Sequence, residues 1–334
     1  NAMIYTRGLS SDYNSWAAKG NVGWSYNDLL PYFIKSENNS RGASNYHGNS
    51  GPLTVSDVSP FYPVSKCFLE ACSEFGLPPN PDFNGVHLEG HNSYQFTMKD
   101  GKRCSAYHAY LKPALKRNNL TVRSGCLTER VAFSGIKATG VCYQQNGRRY
   151  IASARREVIL CAGAFNSPQI LMRSGVGSAS ELAKFGIESV YDNPAVGKNL
   201  QEHVDVSIQC KNKMRDGLTL SPLGLIKLSV PFIQYILSSK GQLAHSLAEV
   251  GAFYRSSNEV KEPDIQAHLL PVMFNDSGYD WNPTLKHGFT CHVCLLRPES
   301  RGAVHLNPED PMAKPQITYG FLSEKSDQKA LLNG

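Results

Sequence analysis

Gly163, Ala164 and Ser167 lie at the one point of this chain where residue types and spacing speak directly to chemistry. A continuous apolar run, 158–162, leads into Gly163-Ala164-Phe165-Asn166-Ser167-Pro168 and then into residues of helical spacing that stop at Gly175. The run has the pattern of a strand covered on both faces in a parallel sheet. Gly163 and Ala164 have almost no side chain, so another backbone or a flat ligand can approach closely there. Ser167 fits an N-cap, Pro168 the first helical position and Gly175 the C-terminal stop. Such a junction points unpaired N–H groups and a partial positive charge beyond the strand end, where doubly wound sheets bind dinucleotides.

The elements around this junction follow from local patterns. Residues 24–36 begin with a cap and form a short surface-packed helix, residues 38–51 form an Asn/Ser/Gly-rich loop, and 51–55 a short strand. A helix over 65–75 ends at Gly76, and 95–98 is a strand entering the turn at 99–102. A helix follows over 105–116. Residues 120–123 and 130–133 alternate as strands, and 141–144 pairs with 149–152 across the Asn146-Gly147 turn. Residues 222–237 are apolar but interrupted by Pro231, which favours a buried or lid helix over a membrane span. Residues 264–270, 288–296 and 303–306 have the alternation of an antiparallel sheet. The fold class is therefore mixed α/β, and the change from a buried parallel-type strand to alternating strands implies two structural units.

Bulk properties exclude several functions. With 334 residues, 41% hydrophobic and 19% charged, the chain has an ordinary globular composition and room for two domains. Its net charge of +6 comes without a Lys/Arg block interleaved with aromatics, which excludes nucleic acid as a partner. Nine cysteines form no metal framework. Cys291 and Cys294 are three apart on a predicted strand and so face opposite ways, which is wrong for a shared ion. Their odd number argues against full disulfide pairing and leaves room for one or two bridges. Three N-glycosylation sequons, at Asn38, Asn119 and Asn275, matter only in a secreted protein, and the compartment is left open. Asn1-Ala2-Met3 has two readings, a tag remnant or native sequence, and the native one is preferred.

The run Gly-Ala-x-x-Ser-Pro-x-Ile-Leu-x-x-Ser-Gly-Val-Gly at 163–177 resembles the second signature of the glucose–methanol–choline (GMC) oxidoreductases, with a flavour of the animal choline/glucose dehydrogenase-like members. Asn1, Tyr5 and Gly8 resemble the tail of the first signature, and residues 193–203 the family's Val-Gly-x-Asn-Leu-x-Asp-His segment with Glu202 in place of Asp. The resemblance implies FAD as cofactor, contacted by Asn1, Thr128, Gly163, Ala164 and Ser167. Thr128 stands where the family usually has Val, but that contact is through the main chain. It places Asn84 in a loop at the active-site entrance and Glu249 in a segment that lines the substrate pocket, while Glu202 and His203 form a local structural pair.

The implied architecture is a partial Rossmann-like FAD domain interleaved with an antiparallel substrate domain. Its segments are 1–50 (FAD domain and lid), 51–118 (largely substrate domain), 119–205 (FAD domain), 206–320 (substrate domain) and 321–334, the start of a helix. The implied activity is oxidation of a small-molecule alcohol, with hydride passing to the flavin and electrons onward to oxygen or a quinone-like acceptor. The family's Gly-x-Gly-x-x-Gly loop has no counterpart here, and the resemblance implies that its C-terminal His base lies beyond Gly334. No catalytic base is therefore assigned, and the segment alone is expected to bind FAD weakly and not turn over. Two rivals remain: a catalytically dead relative serving as a binding or structural protein, and an unrelated α/β protein, which predicts no strand–turn–helix across 158–174.

Overall fold

The computed structural model describes residues 2–58, 62–213, 217–274 and 282–334. The chain opens with α1 (Ser10–Ala18) and α2 (Tyr26–Ser36), the latter started by Ser25 and Asp28 in a reciprocal cap. Next come β1 (Glu37–Asn39), β2 (Leu53–Val55) and α3 (Pro63–Glu74), which ends where Gly76 takes a positive φ. β3 (Gly90–Ser93) precedes a hairpin of β4 (Met98–Lys99) and β5 (Lys102–Arg103). The helix expected over 105–116 is a π-turn over Tyr107–Leu111 continued by the short α4 (Lys112–Ala114), with Pro113 inside it.

A three-stranded meander follows: β6 (Leu127–Ser134), β7 (Lys137–Gln145) and β8 (Arg148–Ser153). Val141 stands opposite Ala152 and Gln144 opposite Arg149, and Asn146 and Gly147 both take positive φ in the turn between them. Residues 120–123 carry no strand. Then come α5 (Gly163–Arg173), β9 (Val176–Gly177), α6 (Ala179–Ala183), β10 (Tyr191–Asp192) and β11 (Val204–Lys211). The chain finishes with α7 (Pro222–Ser238), β12 (Val250–Tyr254), β13 (Ile265–Leu270), β14 (Gly288–Leu295), β15 (Ala303–His305), β16 (Gln316–Thr318) and α8 (Lys325–Asn333).

The chain divides into two compact units. The first comprises 1–120, 205–296 and 330–334. Its centre is a five-stranded sheet in the order β11-β14-β13-β12-β3, in which the pairs β14/β13, β13/β12 and β12/β3 are antiparallel. Val250 and Leu269 on one face pack with Tyr62, Val64 and Phe68 of the α3 region. Phe253 on the opposite face joins Phe83, Tyr94, Phe96 and Met98. A Cβ on Gly251 would overlap Tyr94 Oη, so only glycine leaves room for that ring against the strand. The helix expected over 321–334 is α8, shorter than the segment that holds it. Its end is tied to the same sheet: Tyr254 Oη donates to the Gly334 carbonyl at 2.9 Å, and Ala330 and Leu331 pack with Ile265 and Leu295.

The second unit comprises 121–204 and 297–329. Its α5 packs on β6, where Ser174 Oγ accepts from Val131 N–H at 2.8 Å. Met172, Leu182 and Leu306 form its small core. Residues 303–306, expected in the large sheet, instead supply β15, which pairs with β16.

Residues 158–162 form no strand: Val158 and Leu160 are half-buried, while Ile159 is 73% exposed. Apolar residues become a strand only with a ladder partner, and no described strand lies beside them. The helix over 222–237 exists, and of the buried and lid readings the buried one does not hold. Leu223, Ile226, Val230, Phe232, Ile233, Ile236 and Leu237 are exposed, and only Gly224 of this helix is buried. No described helix is long and apolar enough to cross a membrane. Among the described residues no cysteine forms a disulfide.

Candidate active site

The candidate cofactor surface is the start of α5. Gly163 takes φ +80°, which L side chains rarely adopt, and turns the chain into a helix that begins there rather than at Pro168. Ala162 is therefore the N-cap, and no side chain caps the first turn. Ser167 lies inside the helix, and its hydroxyl accepts a hydrogen bond from Ala162 N–H at 3.0 Å, fixing the turn from within. Pro168, also inside, cannot donate to the Ala164 carbonyl. Gly175 does end the helix, with φ +86° and its N–H on Met172 O at 3.0 Å.

This turn suits a flat anionic ligand. A Cβ built on Gly163 meets no atom within 4 Å, and Gly163 and Ala164 are both exposed to solvent. The first-turn N–H groups lie beside this open position, at the positive end of the helix dipole. Thr128 lies in the same unit, half-buried on β6 opposite Tyr143, beside an irregularity in the β6/β7 ladder. Asn1 lies outside the described residues. Glu202 and His203 are exposed, and the Glu202 carboxylate accepts from the His203 N–H at 2.9 Å, a purely local bond.

The two expected substrate-side residues lie in the first unit, in separate networks. Asn84 is buried and ties two backbone stretches: its Oδ1 accepts from Arg7 N–H at 2.8 Å and its Nδ2 donates to Tyr5 O at 2.9 Å. Glu249 is fully buried just before β12. Its Oε2 accepts from Tyr62 N–H at 2.9 Å and from Ser65 Oγ at 2.7 Å, placing a carboxylate at the N-terminus of α3. Its Oε1 has no hydrogen-bond partner among the described residues; His245 Nε2 lies 3.5 Å away. Burial pushes the Glu249 carboxyl up, against the hydrogen bonds from Ser65 and Tyr62.

A further polar network had no sequence signal. His47 donates to Glu37 at 3.0 Å through Nδ1 and to Asp82 at 2.8 Å through Nε2, and Arg7 pairs with Glu37 at 2.9 Å. Asn39 and Gln95 close the ring by exchanging amide hydrogen bonds. The partners are spread from residue 7 to residue 95, so no local motif announces them. His245, four residues before Glu249, was equally silent.

A family model described as GMC oxidoreductase matches residues 1–205. An alcohol dehydrogenase (acceptor) of Pseudomonas putida is 40% identical over 341 residues, covering 100% of this chain and 61% of that protein. A mitochondrial choline dehydrogenase of Homo sapiens is 40% identical over 329 residues, covering 98% of this chain and 54% of that protein. The chain thus spans little more than half the length of these relatives. Among solved structures, a formate oxidase superposes over 100% of this chain and 63% of its own, with TM-score 0.88 and 23% identity. A pyridoxine 4-oxidase from Mesorbium loti does so over 100% and 62%, with TM-score 0.83 and 24% identity. These structural likenesses speak to fold.

Proposed function

The chain belongs to the GMC oxidoreductase family, and from that premise we propose that the protein oxidises a small alcohol with FAD, the hydride leaving the CH–OH carbon. The observation that carries this reading is the uncapped, glycine-opened start of α5. FAD, when bound, supplies the two-electron acceptor. The chain's own contribution is placement. Gly163 and Ala164 leave room for close approach, the first-turn N–H groups meet negative charge, and Ser167 holds the turn rigid through Ala162. Thr128 offers main-chain contact from β6. Electrons pass onward to oxygen or a quinone-like acceptor.

Glu249 supports a substrate that carries a cation. A fully buried carboxyl whose Oε1 has His245 Nε2 3.5 Å away but no hydrogen-bond partner among the described residues attracts positive charge strongly when ionised, because little water screens it. The human relative's name, choline dehydrogenase, fits such a substrate.

The test compares Gly163→Ala with Gly163→Leu in the full-length protein. Both carry the same cost of positive φ, about 1–2 kcal/mol, but only leucine fills the open space. Retained flavin should fall far more in the leucine variant at matched circular dichroism. Equal flavin content in the two would refute the assignment.

A further inference from the structure

A second chemical cluster lies on the five-stranded sheet, in residues the proposed reaction does not use. His268 on β13 stands directly opposite His292 on β14. Their rings stack with centroids 4.7 Å apart and 4° between planes. Asp205 on β11, the strand next to β14, brings Oδ2 to 2.7 Å from His292 Nδ1. One ligand-type atom from each of the three residues lies within 4.8 Å of the others. Cys294, two residues beyond His292 and so on the same face, hydrogen-bonds Asp205.

Hydrogen bonding within the protein does not account for this arrangement. His268 Nδ1 is buried and has no hydrogen-bond partner among the described residues. A buried polar atom left that way is costly, and native structures rarely tolerate one without water or an ion. Burial, with His292 beside it, pushes His268 down to about 4, against the pull of Asp205. For Asp205, burial pushes its carboxyl up, but the bonds from His292 and Cys294 hold it below its ordinary value.

We propose that Asp205, His268 and His292 form a site for a divalent transition-metal ion of the zinc class, held across three adjacent strands. Two imidazoles and a carboxylate are borderline donors, suited to zinc, cobalt or nickel rather than to calcium or magnesium. Adjacent strands in fixed register supply the rigid spacing, and Asp205, the exposed member, gives the entry path. A competing account, an Asp–His hydrogen bond with a second histidine merely stacked on it, predicts no metal affinity.

The test is calorimetric titration of the chelator-treated full-length protein with Zn²⁺, with Co²⁺ absorption reporting ligand geometry. One tight equivalent per chain is expected. His268→Asn and His292→Asn should each weaken it by more than the ~10- to 100-fold typical of losing an outer-shell partner. Asparagine keeps a polar side chain in place, and circular dichroism identifies any variant that fails to fold; either histidine suffices for the test. Cys291→Ser, on the opposite face of the same strand, should leave affinity unchanged. No stoichiometric binding, or equal affinity in wild type and both histidine variants, would overturn the site. Neither result bears on the flavin assignment, because the cluster shares no residue with the start of α5.

Discussion

His47 should make the stability of this protein fall across the mildly alkaline range. Its imidazole is nearly buried between Glu37 and Asp82, at 3.0 and 2.8 Å. Hydrogen bonds to Asp82 and then Glu37 outweigh the burial penalty and raise His47 from 6.5 to about 9. Both carboxylates are also held below their usual values. Burial pushes each up, but the His47 bond, with Arg7 on Glu37 and the Asn84 N–H on Asp82, wins. They therefore stay ionised throughout. A folded pKa above the unfolded one stabilises fully below pH 6.5, and that contribution fades as pH rises through about 9. The difference of roughly 2.5 units, at ~1.36 kcal/mol each, is about 3 kcal/mol as an upper figure, since two carboxylates share one proton's effect. Urea unfolding at several pH values, in wild type and in His47→Gln, isolates the effect. Wild type should lose about 3 kcal/mol more than the variant between about pH 6.5 and 9.5. Parallel pH profiles in the two proteins would refute the clamped imidazolium.

Three further outcomes follow from particular contacts. Gly251→Ala would drive a methyl into Tyr94 Oη and to 2.5 Å from Ala267 O, so thermal unfolding should report a loss of at least ~1–3 kcal/mol. Asp327→Ala should cost about 1–3 kcal/mol in denaturant titration, because the carboxylate accepts the Glu299 and Ser300 N–H groups at 2.8 Å each and alanine leaves both donors without it. Glu249→Gln in the full-length protein should raise KM for a quaternary-ammonium alcohol by an order of magnitude or more while sparing an uncharged alcohol of similar size. A uniform loss on both would mean that Glu249 acts only by holding α3 through Tyr62 and Ser65.

Local chemistry was legible in the sequence, and long-range pairing was not. Ser25, Gly76, Gly175 and the Asn146-Gly147 turn each act within a few residues, and each does in the structure what its type predicts. The start of α5 was legible as a turn but not in register. Pro168 favoured a start at Ser167, whereas the positive φ of Gly163 begins the helix earlier. Residues 158–162 read as a buried strand because apolar composition carries no information on whether a ladder partner stands beside it. For α7 the same limit applied: mostly apolar sequence looks buried until its neighbours are known. The Arg7–Glu37–His47–Asp82 network and the Asp205–His268–His292 cluster assemble from distant residues, so only tertiary structure brings either together.

The central claim is that Gly163 and the uncapped first turn of α5 hold a flavin that takes hydride from an alcohol. The most direct measurement is the visible spectrum of the purified full-length protein, recorded before and after anaerobic addition of a primary alcohol. The account predicts a bound-flavin absorption that bleaches with alcohol and is lost in Gly163→Leu. A protein that carries no flavin after reconstitution with FAD, or whose flavin stays oxidised with every alcohol offered, would contradict it.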